Sequence, residues 1–134
     1  MALTFSKIKY TDLNPRQQEK HNYHKLSAIL ADYGFDTMWL TDDWKGADFI
    51  AQHIDGQMML KVQLKGRLTF SKKYSNKSLY IAFYSAGDWY FYPHDELLER
   101  IIAETNIAQT LSWTDGGMYS FPSLSKQLTN TVSV

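Results

Sequence analysis

Two runs of alternating apolar and polar residues, joined by Asp55-Gly56, dominate the hydrophobic pattern of the chain. Phe49 and Ala51 before the turn, and Leu60, Val62 and Leu64 after it, recur with the period of two that puts one face of a strand in a core. Asp-Gly between such runs predicts a hairpin over residues 46–68 with a type I′ turn, in which opposite residue numbers sum to 111. A four-residue loop, Ile54–Gln57, keeps that sum, whereas a three-residue bulged loop breaks it. Upstream, Asn14-Pro15 is a helix-start signal, and Tyr23, Leu26, Ile29, Leu30 and Tyr33 follow helical spacing up to a stop at Gly34. These residues predict an amphipathic helix of about five turns.

Asp36–Leu40 reads as a short strand and residues 41–45 as a polar link. Ser78–Ser85 and Trp89–Pro93 read as two aromatic-rich strands that turn at Ala86-Gly87-Asp88. Asp95–Glu104 reads as a second helix burying Leu97, Leu98, Ile101 and Ile102. Gly116-Gly117 and Pro122 mark a loop, Ser123–Leu128 a last helical turn, and residues 129–134 a frayed end. No repeat or linker interrupts the pattern, so residues 1–134 read as one domain of the α/β (α+β) class, with a mixed central β-sheet flanked by helices.

The hairpin carries chemistry as well as a core. In the predicted register Asp48 faces Gln63, and Lys65 stands beside Gln63 on the same face, opposite Gly46. A carboxylate, an amide oxygen and an ammonium projecting together suggest a metal-dependent phosphodiesterase site. Composition narrows the setting: 44% hydrophobic and 15% aromatic content in 134 residues suits a single core. With no cysteine there is no disulfide framework, thiolate zinc site or cysteine nucleophile. No apolar stretch approaches the roughly 20 residues of a membrane span, and Met1–Tyr10 lacks the apolar centre of a signal peptide, so the chain reads as soluble and cytoplasmic with no membrane partner.

The net charge is zero but unevenly spread. Six basic residues and no acidic one lie between Lys61 and Lys77, whereas six aspartates and a single lysine lie between Asp32 and Asp55. Acidic residues near a metal followed by a basic segment that tracks phosphates suit a nuclease; two oppositely charged solvated faces fit the same numbers.

A helix, a strand and then a hairpin with Ala47-Asp48 on one strand and Gln63-Leu64-Lys65 on the next resembles the PD-(D/E)XK, or restriction-endonuclease-like, nuclease superfamily. Glutamine at position 63 stands where the second acid is usual, which removes one negative charge from the site. The resemblance implies a divalent-metal-dependent endonuclease using Mg²⁺ or Mn²⁺. Asp48, Gln63 and the backbone oxygen of Leu64 would be ligands, Glu19 of the first helix would complete the set, and Lys65 would serve the scissile phosphate or the attacking water. It also implies a nucleic-acid partner, DNA ahead of RNA, with Arg67, Lys72, Lys73 and Lys77 on flanking phosphates and Gly46 leaving room for the nucleic-acid backbone. Double-strand cleavage would need a homodimer or repeated nicking. The superfamily usually places a helix after the lysine-bearing strand, but Leu68–Lys77 is short and polar and reads as a strand running through Leu68-Thr69-Phe70 into a basic loop.

Two rival readings stay open. One is a non-catalytic nucleic-acid binder on the same fold, with Gln63 marking a decayed metal site; the other is a protein-interaction module built on the aromatic strands. Asp42 and Asp43 read as turn residues that lie near the metal site, and the four histidines and the aromatic runs read as surface or packing groups.

Overall fold

A computed structural model of the chain describes residues 2–121, so the helical turn expected at Ser123–Leu128 and the end after it lie outside the described residues. Helix α1 (Pro15–Asp32) starts where the sequence places it. The Asn14 side chain accepts the Gln17 N–H and the Gln17 side chain accepts the Asn14 N–H, both at 2.9 Å, so two orphan donors of the first turn are satisfied. Tyr23, Leu26 and Leu30 are buried, but Tyr33, expected on the same stripe, caps the helix and is exposed. Among the described residues no helix is long and apolar enough to cross a membrane.

Strands β1 (Phe35–Trp44), β2 (Ala47–His53), β3 (Met59–Lys65), β5 (Leu79–Ser85) and β6 (Asp88–Pro93) form one mixed sheet in the order β1-β2-β3-β5-β6. The β3–β5 pair is parallel and the others are antiparallel. The chain crosses from β3 to β5 through β4 (Thr69–Ser71) and a single 3₁₀ turn at Lys72–Tyr74, in place of the helix the resemblance implies. β4 does not continue β3; it pairs with β7 (Met118–Ser120) in a separate two-stranded sheet. Helix α2 (His94–Glu104) follows β6 directly, and a one-turn helix α3 (Leu111–Thr114) leads toward β7. The result is a mixed α+β fold with a five-stranded sheet flanked by helices.

The sheet separates two apolar layers. On one face Tyr23, Leu26 and Leu30 of α1 pack against Phe49, Ala51, Val62, Ala82 and Trp89. On the other, Leu79, Ile81, Phe83, Tyr90 and Tyr92 meet Leu97, Leu98 and Ile101 of α2, with Leu68, Phe70 and Tyr74 of the crossover closing the layer. Ile102, expected in that interface, stays 38% exposed. The aromatic strands pair across β5–β6, with Tyr80 stacked on Phe91 and Phe83 on Tyr90 at 5.2 and 5.1 Å between centroids.

The β4 crossover is tied to this sheet by buried polar contacts. The Tyr92 hydroxyl donates to Thr69 O at 2.7 Å and accepts the Thr69 N–H at 3.0 Å, and burial pushes its ionisation well above the ordinary tyrosine range. His94, with no exposed surface, accepts the Ser71 N–H at its Nε2, so its Nδ1–H donates to Asp95 Oδ1 at 2.9 Å. His94 is thus a packing residue that fixes the crossover. Replacing Tyr92 by Phe would orphan a buried N–H and C=O together, and each costs about 1–3 kcal/mol. Urea denaturation is expected to show a loss of about 2–4 kcal/mol for Tyr92→Phe.

Candidate active site

The hairpin register is the predicted one: Phe49 pairs with Val62, Ile50 with Lys61, Ala51 with Leu60 and Gln52 with Met59, each pair summing to 111. The turn differs. His53 N–H donates to Met58 O at 2.9 Å around the four-residue loop Ile54–Gln57, and Asp55 keeps a negative φ. Its carboxylate accepts the N–H groups of Gln57 and Met58, which widens the turn. Those two donors, Met58 first, hold the Asp55 carboxyl below its usual range. The two-residue turn with both central φ positive is instead Lys45-Gly46, at φ 53° and 88°, between β1 and β2.

That second turn makes the candidate site. β1 pairs regularly from Phe35↔His53 to Trp39↔Phe49, and then again only at Trp44↔Ala47. Four β1 residues, 40–43, therefore stand opposite one β2 residue, Asp48. The segment expected as a polar link is a bulged strand, and the extra residues bend it away from β2. Asp48 keeps its place by reaching across to β3, where its Oδ2 accepts the Leu64 N–H at 2.8 Å.

The bulge opens a cleft of about 470 Å³ whose walls include Arg16, Glu19 and Lys20 of α1, Leu40 to Asp42 of β1, and Asp48 of β2. Glu19 and Asp48, far apart in sequence, line the same space, and Asp42 joins them, a placement the sequence pattern did not favour. Lys20 lies along this wall with its Nζ 4.6 Å from the centroid of the Trp39 ring.

Gln63 and Lys65 alternate on β3 with Val62 and Leu64, and their parallel partners on β5 are Ile81 and Phe83, so they share the face away from α1. Gln63 is half-buried, and its Nε2 donates to Leu64 O at 3.2 Å. The Lys65 Nζ lies 5.2 Å from the Tyr74 ring centroid, and Lys73 approaches the same ring at the same distance. Leu64 and Lys65 line a second cleft, not the one holding Glu19 and Asp48.

Two features differ from the sequence expectation. Gly46 leaves no room for nucleic acid: it is buried, and a Cβ added to it would come within 2.8 Å of Leu79 Cδ1 and 3.5 Å of Tyr74. The basic segment is also not one track. Lys72 lies over the Trp113 ring and Lys73 over Tyr74, whereas Arg67 is exposed in the loop before β4 and Lys77 is half-buried before β5. His21 and His24 contact Tyr10 and Tyr23, as packing groups do. Among the described residues no three His, Cys, Asp or Glu side chains converge as a ready metal cluster.

No protein-family description matches the chain, and no curated protein does. Among solved structures the chain is similar to Hjc, a Holliday junction resolvase from the archaeal hyperthermophile Archaeoglobus fulgidus, at 18% identity. That alignment covers 52% of this chain and 74% of the resolvase, with a TM-score of 0.41.

Proposed function

We propose that this chain is a divalent-metal-dependent nuclease of the PD-(D/E)XK type, hydrolysing phosphodiester bonds in nucleic acid, DNA in the first place. One observation carries the reading: Asp48 is tied to the Gln63-Leu64-Lys65 strand in the register the motif needs, while sharing a cleft with Glu19.

The donors suit Mg²⁺ or Mn²⁺. Carboxylates of Asp48 and Glu19, which line one cleft, and the amide oxygen of Gln63 and the carbonyl of Leu64, which lie outside it, are all hard oxygen groups, with no thiolate or imidazole among them. Two acids rather than three, with a neutral amide, make a weaker cation site than the usual motif. When bound, the ion supplies Lewis-acid stabilisation of the phosphoryl oxygens and a more acidic attacking water.

The protein supplies position and charge. The Leu64 N–H holds one oxygen of Asp48 in place, so the carboxylate is aimed before substrate arrives. Gln63 Nε2 donates to Leu64 O, so the amide would have to turn over to bring its oxygen beside that carbonyl at an ion. The Lys65 ammonium offsets the charge that builds on the scissile phosphate, and the Tyr74 ring steadies it. Arg67 and Lys77 remain candidates for flanking phosphates, with Lys72 and Lys73 reaching them only by leaving their rings.

Gln63 and the absence of a three-acid cluster among the described residues favour the second reading, a non-catalytic nucleic-acid binder. Supercoiled plasmid, single-stranded DNA, branched DNA and RNA, each incubated with Mg²⁺ or Mn²⁺ and with chelator, separate the two. Cleavage that chelator abolishes is the expected result. Binding without cleavage of any substrate would replace the nuclease with the binder, and chelator-resistant cleavage would contradict the metal site.

A further inference from the structure

The cleft that Lys65 lines has about 580 Å³ of space, within the range of small-ligand sites, and its chemistry differs from that of the Glu19–Asp48 cleft beside it. Its walls come from the middle of α1 and Tyr10 before it, the end of β3 with Gly66, and the β5–β6 hairpin. None of its lining residues is acidic, and Lys25 is cationic; Lys65 also lines it, but its Nζ lies over the Tyr74 ring on the other face of the sheet. Three aromatic side chains, Tyr10, Tyr84 and Trp89, face it. Tyr84 and Trp89 form a tilted pair at 5.4 Å, and Tyr84 is half exposed, more than the cross-strand aromatics that pack the core. Tyr10 is held by Asn22, whose Nδ2 donates to the phenol oxygen at 2.8 Å.

We infer that this cleft is a nucleobase subsite: it takes one unpaired nucleotide of a single-stranded segment, the base against Tyr84 and Tyr10, its phosphate toward Lys25. Aromatic platforms with cations beside them bind single strands because every base has a face to stack, and a base inside a duplex cannot offer that face. Leu64 and Lys65 line this cleft at the end of the strand that carries Gln63, so an occupant would set the adjoining phosphate near the proposed site. The inference deepens the nuclease reading by naming the substrate class as single-stranded or locally unpaired nucleic acid.

The test reads binding, with chelator present and no turnover. Fluorescence anisotropy compares a labelled oligothymidylate with a duplex of the same length, for wild type, Tyr84→Ala and Gly66→Leu. Gly66 lines the cleft, has no positive φ, and a Cβ added to it meets nothing within 4 Å, so Gly66→Leu adds bulk at the cleft wall without backbone strain. Tyr84→Ala is expected to weaken single-strand binding about 5- to 100-fold, the fold-change of one lost base stack, with a much smaller effect on the duplex. Gly66→Leu is expected to move in the same direction. Chelator-sensitive cleavage with unchanged single-strand binding in both variants would overturn the subsite and leave the nuclease standing. Single-strand binding that depends on Tyr84, in a protein that cleaves nothing, would support the subsite and sink the nuclease. An equal loss for duplex and single strand would also overturn it.

Discussion

Asp48→Asn is expected to fold as the wild type does and to cleave nucleic acid about a thousandfold more slowly, the scale of a lost transition-state charge contact. The half-buried Asp48 accepts the Leu64 N–H through Oδ2, and the Asn amide oxygen can accept the same proton. The link between β2 and β3 therefore survives, weakened by about 1 kcal/mol because the acceptor is no longer charged. What disappears is a negative charge in the cleft that Glu19 also lines. Asp48→Ala would be a poorer probe, since it also leaves the Leu64 N–H without its partner, at about 1–3 kcal/mol. Cleavage rates alongside thermal melting of Asp48→Asn separate lost chemistry from lost structure.

Phe49→Ala is expected to cost about 3–5 kcal/mol, read as a lower urea midpoint. Phe49 has no exposed surface and lies edge-on to Tyr23 at 5.0 Å, in the middle of the layer between α1 and the sheet. The site depends on this contact, because Asp48 is the next residue along β2 and Glu19 precedes Tyr23 by about one turn of α1. Removing the ring loosens the helix that carries Glu19 against the strand that carries Asp48. A loss below about 1 kcal/mol would contradict this packing.

The hairpin register was legible because only one pairing matches Phe49 and Ala51 with Val62 and Leu60. That alone set Asp48 opposite Gln63. The α1 start, the aromatic pairs and α2 were legible for similar local reasons: an Asn-Pro cap, strand alternation and helical spacing. The turn geometry was not. Asp55-Gly56 carries the commoner type I′ signal, but the Asp55 side chain captures two backbone N–H groups and makes a longer loop, while Lys45 accepts a positive φ at the other turn.

The bulge of β1 hid for the same reason that it matters. Four residues facing one destroy the alternation by which a strand is recognised, so residues 41–45 read as a link, and the cleft the bulge opens could not be foreseen. β4 and β7 are three residues each and owe their pairing to a partner about fifty residues away, which no local pattern reports. The packing of Tyr74 and Leu79 onto Gly46 likewise follows from the crossover and not from the hairpin itself.

Single-turnover cleavage across Mg²⁺ concentrations, for wild type, Asp48→Asn and Lys65→Ala, tests the proposed site most directly. A metal-dependent nuclease centred on this hairpin predicts a different signature for each variant. Asp48→Asn should need far more Mg²⁺ and remain slow, whereas Lys65→Ala should keep a near-wild-type Mg²⁺ midpoint with its saturating rate lowered about 10²- to 10³-fold. Wild-type rates and Mg²⁺ midpoints in both variants would contradict it, because neither the carboxylate tied to β3 nor the ammonium beside it would then take part in the reaction.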